Sequence, residues 1–333
     1  MKIAIFAAGT GGHIYPALTI AKEFNKKDII FFASSRKLEK KIFRDSKFKT
    51  IHLKIDGFRG KNLFKKLLWP FSFFLNLFDF LKNFIEFKPD KILVMGGYIS
   101  IFGVLAALIF RKKIYIHEQN SVIGTLNKFA KNFSHKFFSS FQNVASNEIY
   151  TGNPIRNKIT AKGYELNKEK KSILVLGGSQ GANFFNEKLM KVLEKANFSE
   201  EIIFQTGRKK AINSLSNIKQ VEYIDEIEDV FAQTKFVICR SGASTVAELQ
   251  TYAMPAIFIP ILNSIDDHQT VNAKNACKNG GGIYLSEKSF SEDLFLKEIT
   301  SFYNSDLNKR SKNMFNDIHK DAASRIANEI KQN

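Results

Sequence analysis

The chain has 333 residues, a length that suits about two domains. Hydrophobic residues make up 44% and charged residues 25%, a globular balance that excludes a disordered or fibrous chain. The two cysteines, Cys239 and Cys277, follow no ligand pattern, which excludes a disulfide scaffold or structural zinc site and suits a reducing cytoplasm. The formal charge of +18 is unevenly spread: residues 1–156 hold 26 Lys and Arg against 10 Asp and Glu, and the remainder 24 against 22. The basic first half implies an anionic partner, which is a nucleic acid, a phosphorylated substrate or an acidic membrane surface.

The N-terminal run Lys2–Ala7 is too short for a secretion signal and leads into glycines, so it reads as a buried strand. Pro16–Phe24 has a helical pattern and Ile29–Ala33 reads as a second strand. Lys61 to Phe87 carries Trp69, eight phenylalanines and Lys61, Lys65, Lys66 and Lys82. Its apolar positions follow the helical period, yet Trp69, Phe73, Leu77 and Phe80 fill the opposite face as well. Such a helix is either buried in a core or inserted into a lipid interface, where flanking lysines favour anionic headgroups. Ile92–Phe110 runs 19 residues without a charge, the minimum for a membrane span, but Gly96-Gly97 divides it. A strand, a glycine turn and a helix at 103–110 fit it better than a span, and Lys113–His117 reads as a further strand.

Strands alternating with helices predict an α/β chain with parallel sheets. Apolar content falls around Thr151–Lys171, which predicts domains at 1–157 and 158–333. The alternation restarts with strands at 172–176, 202–206, 236–239 and 256–261, and a terminal helix is expected from Asn308 onward. Both halves open alike, with a strand, a glycine loop (Gly9-Thr10-Gly11-Gly12, then Gly177-Gly178-Ser179-Gln180-Gly181) and a helix. The echo predicts two Rossmann-like doubly wound domains facing across a cleft, with ligands beyond the carboxyl ends of the strands.

Glycine loops that open helices bring backbone N–H groups and the helix dipole to an anion, although either loop alone is equally an ordinary tight turn. His13 follows the first loop, where a neutral imidazole accepts a proton from a sugar hydroxyl or simply caps the helix or holds an anion. Arg240–Glu248 follows a strand with small residues that leave room for a bound group. Glu248 has the position to accept hydroxyl hydrogen bonds from a ribose, or to serve as a favourable charge near a helix N-terminus. Asp266-Asp267-His268-Gln269 is either an acidic cap or a row of groups at a pocket rim. His117 and His268 border loops, while His52, His135 and His319 sit in polar surroundings and read as surface residues. No His or carboxylate pair has metal-ligand spacing, so neither a catalytic metal nor another cofactor is expected.

In order along the chain stand Gly9-Thr10-Gly11-Gly12-His13-Ile14-Tyr15-Pro16-Ala17, Met95-Gly96-Gly97-Tyr98, His117-Glu118-Gln119-Asn120 and Thr151-Gly152-Asn153-Pro154-Ile155-Arg156. Gly177–Ala182, Arg240-Ser241-Gly242-Ala243 and Asp267-His268-Gln269 complete the set. Over residues 3 to about 273 this ordered set resembles the peptidoglycan N-acetylglucosaminyltransferase family. The resemblance implies a GT-B fold and inverting transfer of N-acetylglucosamine from UDP-N-acetylglucosamine to the C4 hydroxyl of undecaprenyl-diphospho-N-acetylmuramyl-pentapeptide. It implies a peripheral enzyme at the cytoplasmic face of the inner membrane, docked there on anionic lipid through segment 61–87. By matching positions, the resemblance implies substrate contacts from Thr10, Gly11, Gly12, Asn120, Arg156, Ser179, Ile224, Ala243, Ser244, Thr245, Glu248, His268 and Gln269. Ile224 would present its backbone to uracil, Glu248 would bind ribose, and His268 and Gln269 would hold the sugar. His13 is then the expected catalytic base, with Arg156 and backbone N–H groups near Ser179 and Ala243 meeting the diphosphate charge in place of a metal.

Two positions depart from the family pattern: Ala8 replaces a glycine, and Ile99-Ser100-Ile101-Phe102-Gly103 replaces a Val-Ser-Gly-Pro-like run. Other GT-B enzymes are the nearest rivals, among them lipid glycosyltransferases and non-hydrolysing UDP-sugar epimerases. The aromatic run at 64–85 argues against an epimerase. No nucleic-acid partner is expected, because the aromatics lie within apolar runs and no groove-reading module is present.

Overall fold

The computed structural model describes residues 1–9, 11–55, 69–156, 159, 163–164, 171–178, 181–207, 217–224, 226–262 and 265–332. The chain divides into two compact units, Met1–Arg156 with Asp321–Asn333, and Asn157–Lys320.

In the first unit, β1 (Ile3–Phe6), β2 (Ile29–Ser34), β3 (Lys49–Leu53), β4 (Lys91–Val94), β5 (Lys113–Glu118), β6 (Lys136–Ser139) and β7 (Glu148–Tyr150) form one sheet in the order β3-β2-β1-β4-β5-β6-β7. Every pairing is parallel. Parallel strands need crossover connections, so helices cover both faces and the central strands are apolar on both. The alternation is visible in β1. Ala4 and Phe6 join a cluster with Phe80, Phe84 and Phe102, while Ile3 and Ile5 join one with Ile14, Leu18, Ile326 and Ile330.

The helix Trp69–Phe87 buries one face in the core and exposes the other. Phe80 and Phe84 are buried, and Phe80 packs on Phe6, Phe32 and Phe102 with ring centroids 5.9, 5.1 and 5.3 Å apart. On the same helix Phe74 is 66% and Phe78 73% exposed, and Leu75 and Ile85 are exposed as well. Residues 61–68 of the aromatic segment lie outside the described residues. Among the described residues no helix is long and apolar enough to cross a membrane. The 92–110 run is β4, a glycine turn and the helix Ser100–Ile109.

The second unit repeats the plan. Strands β8 (Ser172–Leu176), β9 (Glu201–Gln205), β10 (Ile218–Val221), β11 (Thr234–Cys239), β12 (Ala256–Phe258) and β13 (Gly282–Tyr284) lie in the order β10-β9-β8-β11-β12-β13, all parallel. In their own chain order the strands of both sheets run 3-2-1-4-5-6, with a seventh strand added at the end of the first sheet, the doubly wound arrangement with its switch point beside the first strand.

Two expectations are corrected here. The chain from Asn308 onward is two helices, Leu307–Met314 and Ala322–Lys331, because Phe315 and Asn316 leave helical geometry and Asn316 caps a separate short turn at Asp317–His319. The last helix belongs to the first unit, where Ala323, Ile326 and Ile330 are buried against β1, β2 and β4, and Arg325 donates to the Thr151 carbonyl at 3.0 and 3.3 Å. Replacing Ile326 with Ala should therefore lower stability by about 2–5 kcal/mol, measured by urea unfolding, and the loss should appear in probes of the first sheet.

Candidate functional site

The first unit gathers its polar side chains where the strands end. After β1 the chain turns through Gly9, whose N–H donates to Glu39 Oε1 at 3.1 Å, while Ser34 N–H at the end of β2 donates to Glu39 Oε2 at 3.0 Å. Glu39 is buried, so one carboxylate fastens the ends of two strands. Sequence reasoning missed it; its signal is an acid among Lys37, Lys40 and Lys41. Thr10 lies outside the described residues. The helix starts at Gly11, ahead of the expected Pro16, so Gly11, Gly12 and His13 form its first turn and no acidic residue stands there.

The turn after β4 packs directly on this one. Gly97 has φ +76°, and a Cβ on it would lie 2.7 Å from the Ala8 carbonyl oxygen, so only glycine allows the approach. A Cβ on Gly96 would come within 3.4 Å of His13 Cε1 and 3.3 Å of Asn127 Nδ2. His13, half-buried, packs against this turn, where the φ of +89° at Gly96 favours glycine.

Strand β5 ends in His117-Glu118, followed by Gln119-Asn120. His13 Nδ1 lies 2.6 Å from Gln119 Oε1. Gln119 Nε2 lies 2.8 Å from His117 Nδ1 and donates to the His117 carbonyl at 3.1 Å. His117 Nε2 lies 3.2 Å from the Gly152 carbonyl oxygen and 3.4 Å from Ser140 Oγ. His117, expected only to border a loop, is fully buried; desolvation drives its pKa down to about 4, against the raising effect of the Gly152 hydrogen bond. Glu118 accepts from Asn120 N–H (3.1 Å), Asn120 Nδ2 (3.4 Å), Gly124 N–H (3.0 Å) and Asn127 Nδ2 (2.9 Å), and so shapes the loop that carries Asn120. Sequence reasoning gave Glu118, Gln119 and Asn127 no role. Arg156, half-buried, follows the carboxyl end of β7.

In the second unit, β8 leads into Gly177-Gly178 and Gly181; Ser179 lies outside the described residues. Gly181 has φ +72°, and a Cβ there would stand 2.2 Å from the Thr206 carbonyl oxygen, so the turn presses on the end of β9. The helix that follows opens with a π-helical turn, Phe184–Leu189, where Met190 N–H bonds the Phe185 carbonyl five residues back. Ile224, half-buried, lies beyond the end of β10.

Strand β11 ends at Cys239. Arg240 then turns back onto its own sheet, donating to the Ile259 and Pro260 carbonyls at 2.9 and 3.1 Å and pairing with Glu287, with its guanidinium 4.6 Å from the Phe185 ring centroid. Its cation is occupied in holding β11 beside β12. Gly242 has extended geometry, and the helix Ala243–Tyr252 begins with Ala243, Ser244 and Thr245 and no acid in its first turn; Glu248 lies half-buried further along. Ser241 Oγ donates to the Gln269 carbonyl at 2.8 Å and Asn272 Nδ2 to the Ser241 carbonyl at 3.1 Å, so this N-terminus is tied to the helix His268–Cys277. Gln269 Oε1 accepts from Ile261 N–H at 3.1 Å. Asp266 and Asp267 take left-handed conformations (φ 58° and 47°), and Asp267 accepts from Thr270 Oγ1 at 2.7 Å, so the pair shapes the turn into this helix.

Of the other histidines, His135 is exposed and His52 half-buried, with Nδ1 2.8 Å from the Ser34 carbonyl oxygen. His319 is not the surface residue expected, being 2% exposed with Nε2 3.0 Å from Gln250 Oε1. Polar neighbours in sequence do not reveal that a one-turn segment packs on the helix Ala243–Tyr252.

Each unit thus places its described candidate residues after the carboxyl ends of parallel strands, where doubly wound sheets bind ligands. A family model described as the glycosyltransferase family 28 N-terminal domain matches residues 3–139, and its C-terminal counterpart matches residues 172–326. The UDP-N-acetylglucosamine--N-acetylmuramyl-(pentapeptide) pyrophosphoryl-undecaprenol N-acetylglucosamine transferase of Vesicomyosocius okutanii is 36% identical over 301 residues, covering 88% of this chain and 86% of the relative. The protein of the same name from Thermosipho africanus is 34% identical, covering 91% and 92%. Among solved structures, Acinetobacter baumannii MurG is similar with a TM-score of 0.80 and 25% identity over all of both chains. The glycotransferase of kitacinnamycin, at 0.75 and 12% identity, shares the fold. The two Rossmann-like sheets have the GT-B fold, and the two matched domains make the chain a glycosyltransferase. The chain belongs to glycosyltransferase family 28 and, within it, to the MurG family.

The neutral His117 has a measurable consequence. Its folded pKa of about 4 lies below the ordinary 6.5, so the unfolded chain binds this proton first as pH falls. The stabilising share of a neutral His117 is complete above pH 6.5 and is lost progressively down to pH 4, amounting to about 3 kcal/mol. Urea unfolding at pH 7 and pH 5 should show a steeper loss in the wild type than in His117→Gln; equal slopes would contradict a neutral buried ring.

Proposed function

We propose that this chain transfers N-acetylglucosamine from UDP-N-acetylglucosamine to the C4 hydroxyl of undecaprenyl-diphospho-N-acetylmuramyl-pentapeptide, forming the disaccharide lipid and UDP. The observation that carries the reading is His13, set in the first turn of a helix after a glycine loop with Nδ1 engaged by Gln119, so that Nε2 is the nitrogen available to substrate. The acceptor oxygen attacks the anomeric carbon as its proton passes to His13, the bond to the diphosphate breaks and its electron pair leaves with UDP. The α-linked donor becomes a β-linked product by inversion. Gly11 and Gly12 share the first helical turn with His13 and Asn120 follows β5, and these are assigned to the transferred sugar and its diphosphate, as Thr10 is by its place in the motif.

In the second unit the donor is held by groups suited to each of its parts. Backbone groups of Ile224 meet uracil, and the Glu248 carboxylate accepts the ribose hydroxyls. The diphosphate takes the helix N-terminus at Ala243, Ser244 and Thr245, where no acidic side chain competes with an anion; Ser179 is assigned to it by its place in the motif alone. Arg156 adds a fixed positive charge as the diphosphate leaves, so that no metal is needed. Gln269 has its amide oxygen taken by Ile261, which leaves its NH2 to donate to the sugar, next to His268.

Access to a lipid-linked acceptor explains the exposed aromatic face. Phe74, Leu75, Phe78 and Ile85 are exposed on one helix, and Leu108 and Ile109 on the adjacent Ser100–Ile109 helix, whose Phe102 stacks on Phe73 with centroids 4.9 Å apart. Lys82 and Arg111 are exposed among them. This surface docks on anionic lipid at the cytoplasmic face of the inner membrane, with apolar side chains in the interface and cations at the headgroups.

The deciding assay follows labelled N-acetylglucosamine from UDP-N-acetylglucosamine into a muramyl-pentapeptide diphospholipid in the presence of chelator; absence of transfer with the donor still bound would refute the acceptor. His13→Ala should lower kcat by about 10²–10⁴-fold with donor KM nearly unchanged, and near-normal turnover would remove His13 as base. The double substitution Phe74→Ser and Phe78→Ser should reduce sedimentation with anionic liposomes while leaving the urea-unfolding midpoint nearly intact, since both side chains already face solvent.

A further inference from the structure

We infer that Gln119 and His117 are positioning residues that fix the tautomer of His13, through an uncharged hydrogen-bond chain that begins at the Gly152 carbonyl and leaves the lone pair of His13 on Nε2. The inference deepens the reading of His13 as base and rests on it.

The direction of every bond in the chain follows from two backbone carbonyls, which only accept. His117 Nε2 lies 3.2 Å from the Gly152 oxygen, so Nε2 carries the hydrogen of that ring. Burial keeps His117 neutral, so its Nδ1 has the lone pair and accepts from Gln119 Nε2 at 2.8 Å. The second anchor is the His117 carbonyl, 3.1 Å from the same Gln119 nitrogen. An amide oxygen in that place would face both a carbonyl oxygen and an imidazole lone pair, so the orientation of the amide is determined and both of its hydrogens are used. Gln119 Oε1 is left toward His13 Nδ1 at 2.6 Å, where it can only accept. His13 therefore carries its hydrogen on Nδ1, and a neutral imidazole then has its lone pair on Nε2.

A carboxylate at the position of Gln119 would also select this tautomer, but it would bring a charge that holds the proton on His13 after transfer. The amide sets direction without charge, and Gly96, Gln119 and the buried His117 keep the ring in one orientation. His13 takes the hydroxyl proton on Nε2 and passes it to solvent without a counter-ion to break from.

The test is nitrogen NMR on the full chain with ring-labelled histidine, at a pH where His13 is neutral and with His13→Ala assigning its signals. The expected spectrum shows a protonated Nδ1 and an unprotonated Nε2 for His13, and the opposite pattern for His117. In Gln119→Met the preference at His13 should be lost, and kcat should fall by about 10- to 100-fold with donor KM nearly unchanged. An Nε2-protonated His13 in the wild type, or an unchanged tautomer in Gln119→Met, overturns the inference. Should Gln119→Met fail to fold, the wild-type spectrum alone decides. Normal turnover in His13→Ala would instead refute the base assignment, and the tautomer measurement would still judge the chain of bonds.

Discussion

The chemistry of the first unit depends on one buried carboxylate. Glu118 closes β5 and accepts four hydrogen bonds, from the backbone of Asn120 and Gly124 and the side chains of Asn120 and Asn127. A buried carboxylate is tolerated only when its lone pairs are filled, and here the filling groups lie on the loop that follows it. The loop is thus wrapped around an anion. The two residues flanking Glu118, His117 and Gln119, are held at fixed heights above the sheet, which is what allows a chain of hydrogen bonds to run from Gly152 to His13. Each orphaned donor would cost about 1–3 kcal/mol, so the loop has strong reason to keep this form without ligand.

The two units solve the same problem with different materials. Both bring small residues to the carboxyl end of the first strand and let a helix start there. In the first, glycine turns after β1 and β4 press together at Gly97 and Ala8, and the His13 imidazole packs against the turn at Gly96. In the second, Gly181 presses on β9 and the next helix opens with a widened π turn, while Arg240 is turned inward to bind the ends of β11 and β12 together. The first unit thereby presents side chains suited to moving a proton. The second presents backbone N–H groups suited to a bound anion.

The sheets were legible in the sequence because parallel strands buried on both faces read as short continuous apolar runs, and glycines mark their carboxyl ends. Strands β3, β6, β7, β10 and β13 were not, being short edge or near-edge strands with weaker apolar runs. The helix start at Gly11 was hidden by Pro16, which is a start signal in most helices and lies inside this one. The ordered motifs located the loops around Asn120 and Ala243. They did not reveal that Glu118 is the hub of its loop or that Glu39 clamps two strands, because a carboxylate that organises backbone has no spacing rule. That the terminal helix joins the first unit is hidden for a related reason. Its apolar face at Ala323, Ile326 and Ile330 states that something is covered, and only the fold states what.

The helix Trp69–Phe87 shows where pattern reading reaches its physical limit. A helix of a soluble protein betrays its buried face by contrast with a polar one. Here the contrast is weak, because one side packs Phe80 and Phe84 on the sheet and the other carries Phe74, Leu75, Phe78 and Ile85 into solvent. A monomeric soluble protein gains nothing from large exposed aromatics, which weaken its solubility. Such a patch marks a contact surface, and on the proposed reading the contact is the lipid that anchors the acceptor. The exposed face and His13 belong to the same compact unit. The excess positive charge of residues 1–156 lies in this same unit, and on the proposed reading it would favour approach to an anionic layer.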